Sequence, residues 1–284
     1  MKKSSLTFYI LFVPVLLWLV LLIVLPHIDL LVSSFKFEND DEIMVWSINN
    51  YLAFFEDEIY WLTFVKTALY SIFVTVLAFI ITFPVAFYLS KVVAKKYSSF
   101  MTLLLLIPIW VGELVTIYGW LILLGDNGVI NNFLLNIGII NTPIDMLYTD
   151  FSMTIGLVYM SMLFMIIPVM SALDSLDDSL IEAASDLGAS KWTIFTQIII
   201  PYAMPGIISG SIIVFMLVIG DYVAPNLLGG KSSLWFTEQI YNEFLSTFNW
   251  NEGAAFGFLL LLLSSSIVWA ALKLSGQKLE RVGR

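Results

Sequence analysis

The strongest constraint on this chain is a set of six apolar stretches, each long enough to cross a bilayer. A spanning helix needs about 20 largely apolar residues, because roughly 30 Å of hydrocarbon is crossed at about 1.5 Å per residue. The stretches are residues 6–26, 66–89, 100–124, 151–173, 202–220 and 254–274. Only 12% of the residues are charged, whereas soluble domains average about 25%. We therefore predict an all-α polytopic membrane protein with six transmembrane helices in one domain, residues 1–284.

The first stretch, residues 6–26, has two interpretations. It is longer than the apolar core of a cleaved signal peptide, which runs to about 7–15 residues. It also has no small-residue cleavage site of the usual kind. We predict that it stays in the protein as the first span, with a cleaved signal as the alternative.

The basic residues are divided unequally between the two sets of loops. Ten of the 13 Lys and Arg lie at the termini, at residues 91–96 and in the segment 174–201, which we call the hairpin. The positive-inside rule therefore predicts that both termini and the hairpin are cytoplasmic. The opposite loops carry 15 acidic residues against three lysines. Such a field attracts cations, although acidic outer loops also arise from topology alone.

The residue types exclude several kinds of chemistry. The chain has no cysteine and a single histidine, His27, so neither a disulfide framework nor a Cys- or His-based metal site is expected. The net charge of −9 disfavours nucleic acid as a partner. The chain has no G-x-x-x-x-G-K-[ST] loop for nucleotide phosphates. We predict a protein that is not an enzyme and that holds no cofactor of its own.

The hairpin carries signals for two short helices. Ser179 and Glu182 have the S-x-x-E spacing of a capping box, in which each side chain bonds a free amide of the first turn. Gly188 is the residue type that ends a helix in the left-handed conformation. Ser190 can cap a second helix, which Pro201 separates from the fifth span. Two helices joined at a glycine can occupy a groove of a partner, so Glu182 contacts that partner, completes the cap, or does both.

The hairpin residues also follow a known signature. Glu182, Ala183 and Ala184 are followed after three residues by Gly188, and Ile200 precedes Pro201 at the end. This spacing resembles the EAA loop of the integral-membrane permeases of ABC importers, with Ile200 where that family usually has Leu. The resemblance is closest to the PotB-type permeases of spermidine/putrescine importers. Further matching stretches cover most of the chain from residue 60 to 275: they are 106–110 (LIPIW), 117–119 (IYG), 156–159 (GLVY) and 220–230 (GDYVAPNLLGG).

The resemblance implies a MetI-like permease bundle in a bacterial cell membrane, with a cytoplasmic coupling hairpin. It implies three partners: a second homologous permease subunit, cytoplasmic ATPase subunits that bind ATP and Mg, and an extracytoplasmic substrate-binding protein. The ATPase-coupling residues that it assigns are Glu182, Ala183, Ala184 and Gly188. The cargo that it implies is a polyamine, spermidine or putrescine. Iron(III), thiamine or another small solute is the alternative.

A polyamine site needs carboxylates for its ammonium groups and aromatic rings for its charges and methylenes. Glu113 lies within the predicted third span, where an ionisable residue suggests function, and it follows a helix break that Pro108 and Gly112 predict. Asp221 follows the fifth span. The candidate pathway residues are Glu113, Asp221, Trp110, Tyr118, Tyr159 and Tyr222. Each has a simpler interpretation: Glu113 pairs within the bundle, Asp221 sits at the water boundary, and the rings anchor the membrane interface.

Overall fold

The computed structural model describes residues 3–39, 43–230 and 233–274. Within these ranges, six helices are long and apolar enough to cross a membrane, which confirms the predicted number. These candidate spans are Ile10–Ser34, Glu58–Val92, Glu113–Asn136, Asp150–Asp174, Lys191–Ile219 and Trp250–Lys273. The orientation of the termini stays a prediction.

The helices are numbered along the chain. They are α1 (Lys3–Leu19), α2 (Leu25–Ser34), α3 (Asn49–Glu56), α4 (Glu58–Phe87), α5 (Lys95–Leu106), α6 (Glu113–Leu124), α7 (Val129–Asn136), α8 (Asp150–Asp174), α9 (Asp178–Asp186), α10 (Lys191–Ile194), α11 (Ile200–Ile219), α12 (Phe236–Leu245) and α13 (Trp250–Leu274). Turns of π-helix at Val20–Val24, Tyr88–Val92, Phe195–Ile199 and Pro225–Gly229 continue or join some of them. Two short strands, β1 (Lys36–Glu38) and β2 (Met44–Trp46), form an antiparallel pair.

Close contacts divide the chain into two compact units. One comprises Met1–Phe64 with Glu238–Leu263, and the other comprises Val65–Thr237 with Ser264–Arg284. In the first unit, the buried Phe256 ring lies 4.7 Å from Tyr60 and 6.1 Å from Phe54, centroid to centroid. The buried Asn50 amide donates to the Ser34 carbonyl at 2.9 Å and fixes the chain where α2 ends. The expectation of one domain over residues 1–284 stays a prediction.

The second unit is built around the pairing of α8 with α11. Gly206 lies against α8 so closely that an added Cβ would sit 2.6 Å from Cβ of Ala172 and even nearer to the carbonyl of Pro168. Gly210 lies against Met165, which is fully buried. Small residues at a helix interface let the two backbones approach, which is the main source of packing energy between helices in lipid.

The predicted third span, residues 100–124, is not one helix. α5 ends at Leu106, a turn of 3₁₀-helix covers Ile107–Trp110, and Val111 is extended before α6 begins at Glu113. Pro108 supplies no N–H and Gly112 has no side chain to hold the helix, so the chain bends here. The break predicted at Pro108 and Gly112 is therefore confirmed. Glu113 occupies the first turn of a helix rather than the middle of one.

The boundary that we predicted at Pro201 is also wrong. The helix runs without interruption from Lys191 to Ile219, and a π-helical turn at Phe195–Ile199 lies just before Pro201. Proline cannot donate to the carbonyl four residues earlier, and a π-turn accommodates that missing bond within a continuous helix. The second hairpin helix is thus the first part of the fifth span.

Candidate functional site

A cavity of about 500 Å³ lies in the second unit, next to the break between α5 and α6. Its wall comes from residues within three segments: 108–109 and 111–113 at the break, part of 157–164 in α8 and part of 217–223 at the end of α11. Most of the wall is apolar. Two carboxylates, Glu113 and Asp221, are its only acidic groups among the described residues. A largely apolar cavity with a few convergent polar groups has the general character of a small-molecule site.

Glu113 is positioned by the bend that interrupts the third span. Gly112 is the N-cap residue of α6, and its carbonyl accepts from the Thr116 N–H at 3.1 Å. Glu113 therefore stands in the first turn, where the helix dipole stabilises a negative charge. The side chain is exposed and lines the cavity. A straight helix through Pro108 would not leave this gap beside the carboxylate.

Asp221 is held by the chain reversal that follows α11. The helix ends at Ile219, and one carboxylate oxygen of Asp221 accepts from the N–H groups of Val223 at 2.8 Å and Ala224 at 3.2 Å. The Thr237 hydroxyl donates to the Asp221 carbonyl at 2.6 Å. These bonds fix the carboxylate at the wall, as expected of an aspartate that opens a turn.

Burial raises the pKa of the Asp221 carboxyl from 3.8 to about 7, and the charge of Glu113 adds to this rise. The N–H groups of Ala224 and Val223 oppose the rise because they stabilise the charged form. The negative charge of Glu113 therefore disfavours the ionised form of Asp221 in this apolar wall. A cation between them would relieve that repulsion.

The structure brings together four of the six predicted pathway residues. Tyr159 and Tyr222 line the cavity with Glu113 and Asp221. Trp110, whose side chain is 90% exposed, and Tyr118, which is 55% exposed, are outside the cavity wall. Both remain candidates only as interfacial residues.

Two further residues belong to this site and were not among the predicted set. The ring of Trp120 packs edge-on against Tyr159, with centroids 5.4 Å apart, and so supports that wall. Met160 lines the cavity. The tryptophan could have been found from its position seven residues after Glu113, on the same face of α6.

The hairpin begins differently from the sequence prediction. α9 starts at Asp178, and the carboxylate of Asp177 accepts from the Ser179 N–H at 3.0 Å. This bond lowers the pKa of Asp177 below its ordinary value. The proposed capping box of Ser179 with Glu182 is therefore wrong, because an aspartate two residues earlier makes the N-cap. Glu182 lies on the helix surface and is exposed.

The turn of the hairpin follows the prediction. Gly188 has φ +81°, and its N–H donates to the Ser185 carbonyl at 2.9 Å. The Ser190 hydroxyl accepts from the Thr193 N–H at 3.1 Å and caps the next helix. Both assignments are confirmed.

The hairpin exposes large apolar side chains around this turn. Leu187 is 89% exposed and Trp192 is 71% exposed, and the Trp192 ring stacks on Phe195 with centroids 5.9 Å apart. Ala184 faces the other way and packs on the core, while Ala183 is exposed beside Glu182. A rigid knob with exposed leucine and tryptophan is typical of a surface that another protein covers.

Comparison with known proteins places these features in one family. Residues 75–281 match the model described as "Binding-protein-dependent transport system inner membrane component". The chain is 34% identical to the spermidine/putrescine transport system permease protein PotB of Salmonella typhimurium, over 99% of both chains. It is 35% identical to PotB of Escherichia coli, over 93% of this chain and 97% of the relative.

Solved structures show the same fold. A bacterial ABC transporter involved in the import of the acidic polysaccharide alginate matches with a TM-score of 0.76 at 18% identity, over 99% of this chain and 98% of that one. A second alginate transporter structure, in complex with a pentasaccharide-bound periplasmic protein, matches with a TM-score of 0.77 at 20% identity, over 96% and 95% of the two chains. The six candidate spans agree with this multi-pass architecture. The chain thus belongs to the family of binding-protein-dependent inner-membrane transport components, the permease subunits of ABC importers.

Proposed function

We propose that this permease carries polyamines, spermidine and putrescine, across the bacterial inner membrane. The observation that carries the proposal is the cavity in which Glu113 and Asp221 face a largely apolar wall with two tyrosines. A polyamine presents ammonium groups separated by methylenes, and such a wall matches both parts. Identity of 34–35% to PotB permeases over nearly the whole chain supports the same substrate class.

Transport assays on charge-neutralised variants test this role. Glu113→Gln and Asp221→Asn keep the size of each side chain and remove its negative charge. Each should reduce spermidine uptake by at least about tenfold, since hydrogen bonds to charged groups contribute about 1.5–3 kcal/mol each. Asp145→Asn, an exposed acidic residue outside the cavity wall, is the matched control. Unchanged uptake in both variants, with normal assembly, would remove the cavity from the substrate pathway.

We also propose that the hairpin seats in a groove of a cytoplasmic ATPase subunit, which binds ATP and Mg for the assembly. The exposed Leu187 and Trp192 supply the apolar contact, and Gly188 holds the turn between them. Glu182 and Ala183 lie exposed on the adjoining helix and extend the contact. A second homologous permease and an extracytoplasmic binding protein complete the proposed assembly. Its family name and the alginate transporter complex support the last of these.

Co-purification measures the ATPase contact. Trp192→Ala should reduce recovery of the ATPase subunit because a large aromatic anchor commonly dominates an interface. Gln197→Ala, exposed on the same continuous helix, should recover it normally. Equal recovery of the ATPase with both variants, and with Leu187→Ala, would show that the hairpin is not its docking surface.

The alternative cargo within this family, iron(III), thiamine or another small solute, makes a different prediction. The transporter should then take up that solute, and excess spermidine should not inhibit this uptake. Under our proposal, excess spermidine inhibits the uptake of labelled putrescine, whereas excess thiamine does not.

A further inference from the structure

Lys91 is a nearly buried cation at the end of the second span. Only 7% of its side chain is exposed. Its ammonium group donates to the carboxylate of Asp178 at 2.7 Å and to the carbonyl oxygen of Leu176 at 2.5 Å. A buried charge needs such partners because its desolvation is expensive. Both partners lie at the start of the hairpin, 85 and 87 residues after Lys91 in the sequence. This one side chain therefore joins two segments that are distant along the chain.

The ion pair is also placed favourably with respect to two helix dipoles. Lys91 lies in the last turn of the helix that α4 and its π-turn form, where a positive charge is stabilised. Asp178 lies in the first turn of α9, where a negative charge is stabilised. The interaction therefore links a helix C-terminus to a helix N-terminus, each with the charge that its own dipole favours.

The first helix of the hairpin, α9, attaches to the core through partly buried side chains, those of Ile181 and Ala184. Within the described part of the chain, α9 has no buried residue. The residue that precedes it, Leu176, is 2% exposed and belongs to the hydrophobic core. Lys91 donates to the carbonyl oxygen of this buried residue and to the carboxylate of Asp178. A largely buried side chain therefore connects the start of the hairpin to the end of α4.

A polar contact connects α4 with α8, which forms part of the cavity wall. Thr82 lies nine residues before Lys91, which is about 14 Å along the helix. Its hydroxyl donates to the carbonyl of Met162 in α8 at 3.4 Å. Met162 stands between Ser161 and Leu163, which both line the cavity. The path from hairpin to cavity therefore runs through packed helices and two polar contacts, without a flexible loop.

We propose that Lys91 is a positioning residue that transmits displacement of the hairpin to α4 and so couples the ATPase to the transport cavity. This inference rests on the proposed docking of an ATPase subunit on the hairpin. It assigns the coupling to a lysine outside the EAA residues. Neither the hairpin surface nor the cavity contains Lys91 itself.

The test compares transport with ATP hydrolysis in proteoliposomes that contain the complete complex. Lys91→Met removes the cation and keeps the aliphatic stem. Lys91→Arg keeps the charge, and a polar cavity of about 640 Å³ beside residue 91 has room for the guanidinium group. Lys95→Met is the matched control, because Lys95 lines the same cavity and is exposed. Asp178→Asn weakens the interaction by removing the charge of the partner carboxylate, whose side chain is 67% exposed.

The measured quantity is spermidine transported per ATP hydrolysed. For Lys91→Met we expect it to fall by about tenfold, within the range of about 5- to 150-fold typical of coupling between sites. Asp178→Asn should give a smaller fall, and Lys91→Arg and Lys95→Met should stay near the wild-type ratio. ATPase co-purification should be unchanged in all four variants. That measurement separates loss of coupling from loss of docking.

Two results would overturn the inference. One is a wild-type ratio in both Lys91→Met and Asp178→Asn with intact ATPase binding. The other is an equal fall in Lys91→Arg, because a role through charge must survive that exchange. If instead no ATPase subunit binds even to the wild-type chain, the proposed docking on the hairpin fails first, and the inference fails with it.

Discussion

The raised pKa of Asp221 makes polyamine binding depend on pH in a predictable direction. With a pKa of about 7, about one-tenth of this carboxyl is ionised at pH 6 and about nine-tenths at pH 8. The ionised form attracts ammonium groups, so affinity should rise with pH. The amines of the ligand stay charged over this range, since alkylammonium groups titrate near pH 10. If only the ionised form binds, the expected increase in affinity between pH 6 and pH 8 is about tenfold.

The measurement is calorimetric titration of spermidine into the purified permease complex without its binding protein. Omitting that protein removes its own affinity from the observed dissociation constant. Binding at low pH should also release protons, because the ammonium group displaces the proton from Asp221. Titrations in two buffers with different ionisation enthalpies report this release directly.

Two variants make the prediction specific. Glu113→Gln removes the second cause of the raised pKa, so the midpoint of the pH dependence should move below 7, while burial still keeps it above the ordinary aspartate value. Asp221→Asn should bind weakly at every pH and show no midpoint near 7. A pH-independent dissociation constant in the wild type, or the same midpoint in Asp221→Asn, would refute the assignment of Asp221 to the substrate.

Three further predictions concern structure. Gly188→Ala should weaken the hairpin turn by about 1–2 kcal/mol because φ is +81° there. ATPase co-purification should therefore fall. Gly119→Ala, in which the added Cβ also meets no atom within 4 Å, is the control and should leave co-purification unchanged. Gly206→Ala should lower the thermal unfolding temperature by overpacking α8 and α11, at a cost of about 1–3 kcal/mol; Gly257→Ala has free space and serves as the control. Lys66→Met removes a 2.8 Å bond to the Ser233 carbonyl and a 3.5 Å ion pair with Asp150, so amide exchange in residues 233–237 should accelerate, while Lys66→Arg should protect them. An unchanged exchange rate in Lys66→Met would show that other contacts hold this segment.

Much of the architecture follows from features that one sequence states locally. Bilayer thickness fixes the length of a span, so the number of spans could be counted from apolar runs alone. Gly188, which has no side chain, ends one helix of the hairpin, and the Ser190 hydroxyl caps the next. Both residues were assigned correctly. The family followed from the spacing of Glu182, Gly188 and Pro201. Each of these signals depends on neighbours within a few residues.

Other features depend on competition between local signals or on distant segments. Asp177 and Ser179 are both residue types that cap helices, and the structure shows that Asp177 caps α9. Leu176, which directly precedes Asp177, is buried in the core. Pro108 breaks its helix whereas Pro205 does not. A carbonyl that a proline leaves free in the membrane must find another partner, and the local sequence does not show where such a partner lies. The meeting of Glu113 with Asp221 joins residues from separate spans and needs the folded bundle. Trp110 and Tyr118 were selected by proximity in sequence to Glu113, and that criterion failed for both as cavity residues.

Under the proposed function, this permease carries polyamines in an ATP-driven assembly. The most direct measurement is uptake of labelled spermidine and putrescine into proteoliposomes that contain the chain with its second permease, ATPase and binding protein. We expect accumulation that requires ATP, is abolished by Glu113→Gln combined with Asp221→Asn, and is unaffected by Asp145→Asn. Accumulation of thiamine or iron(III) by the same vesicles, with no uptake of either polyamine, would contradict it.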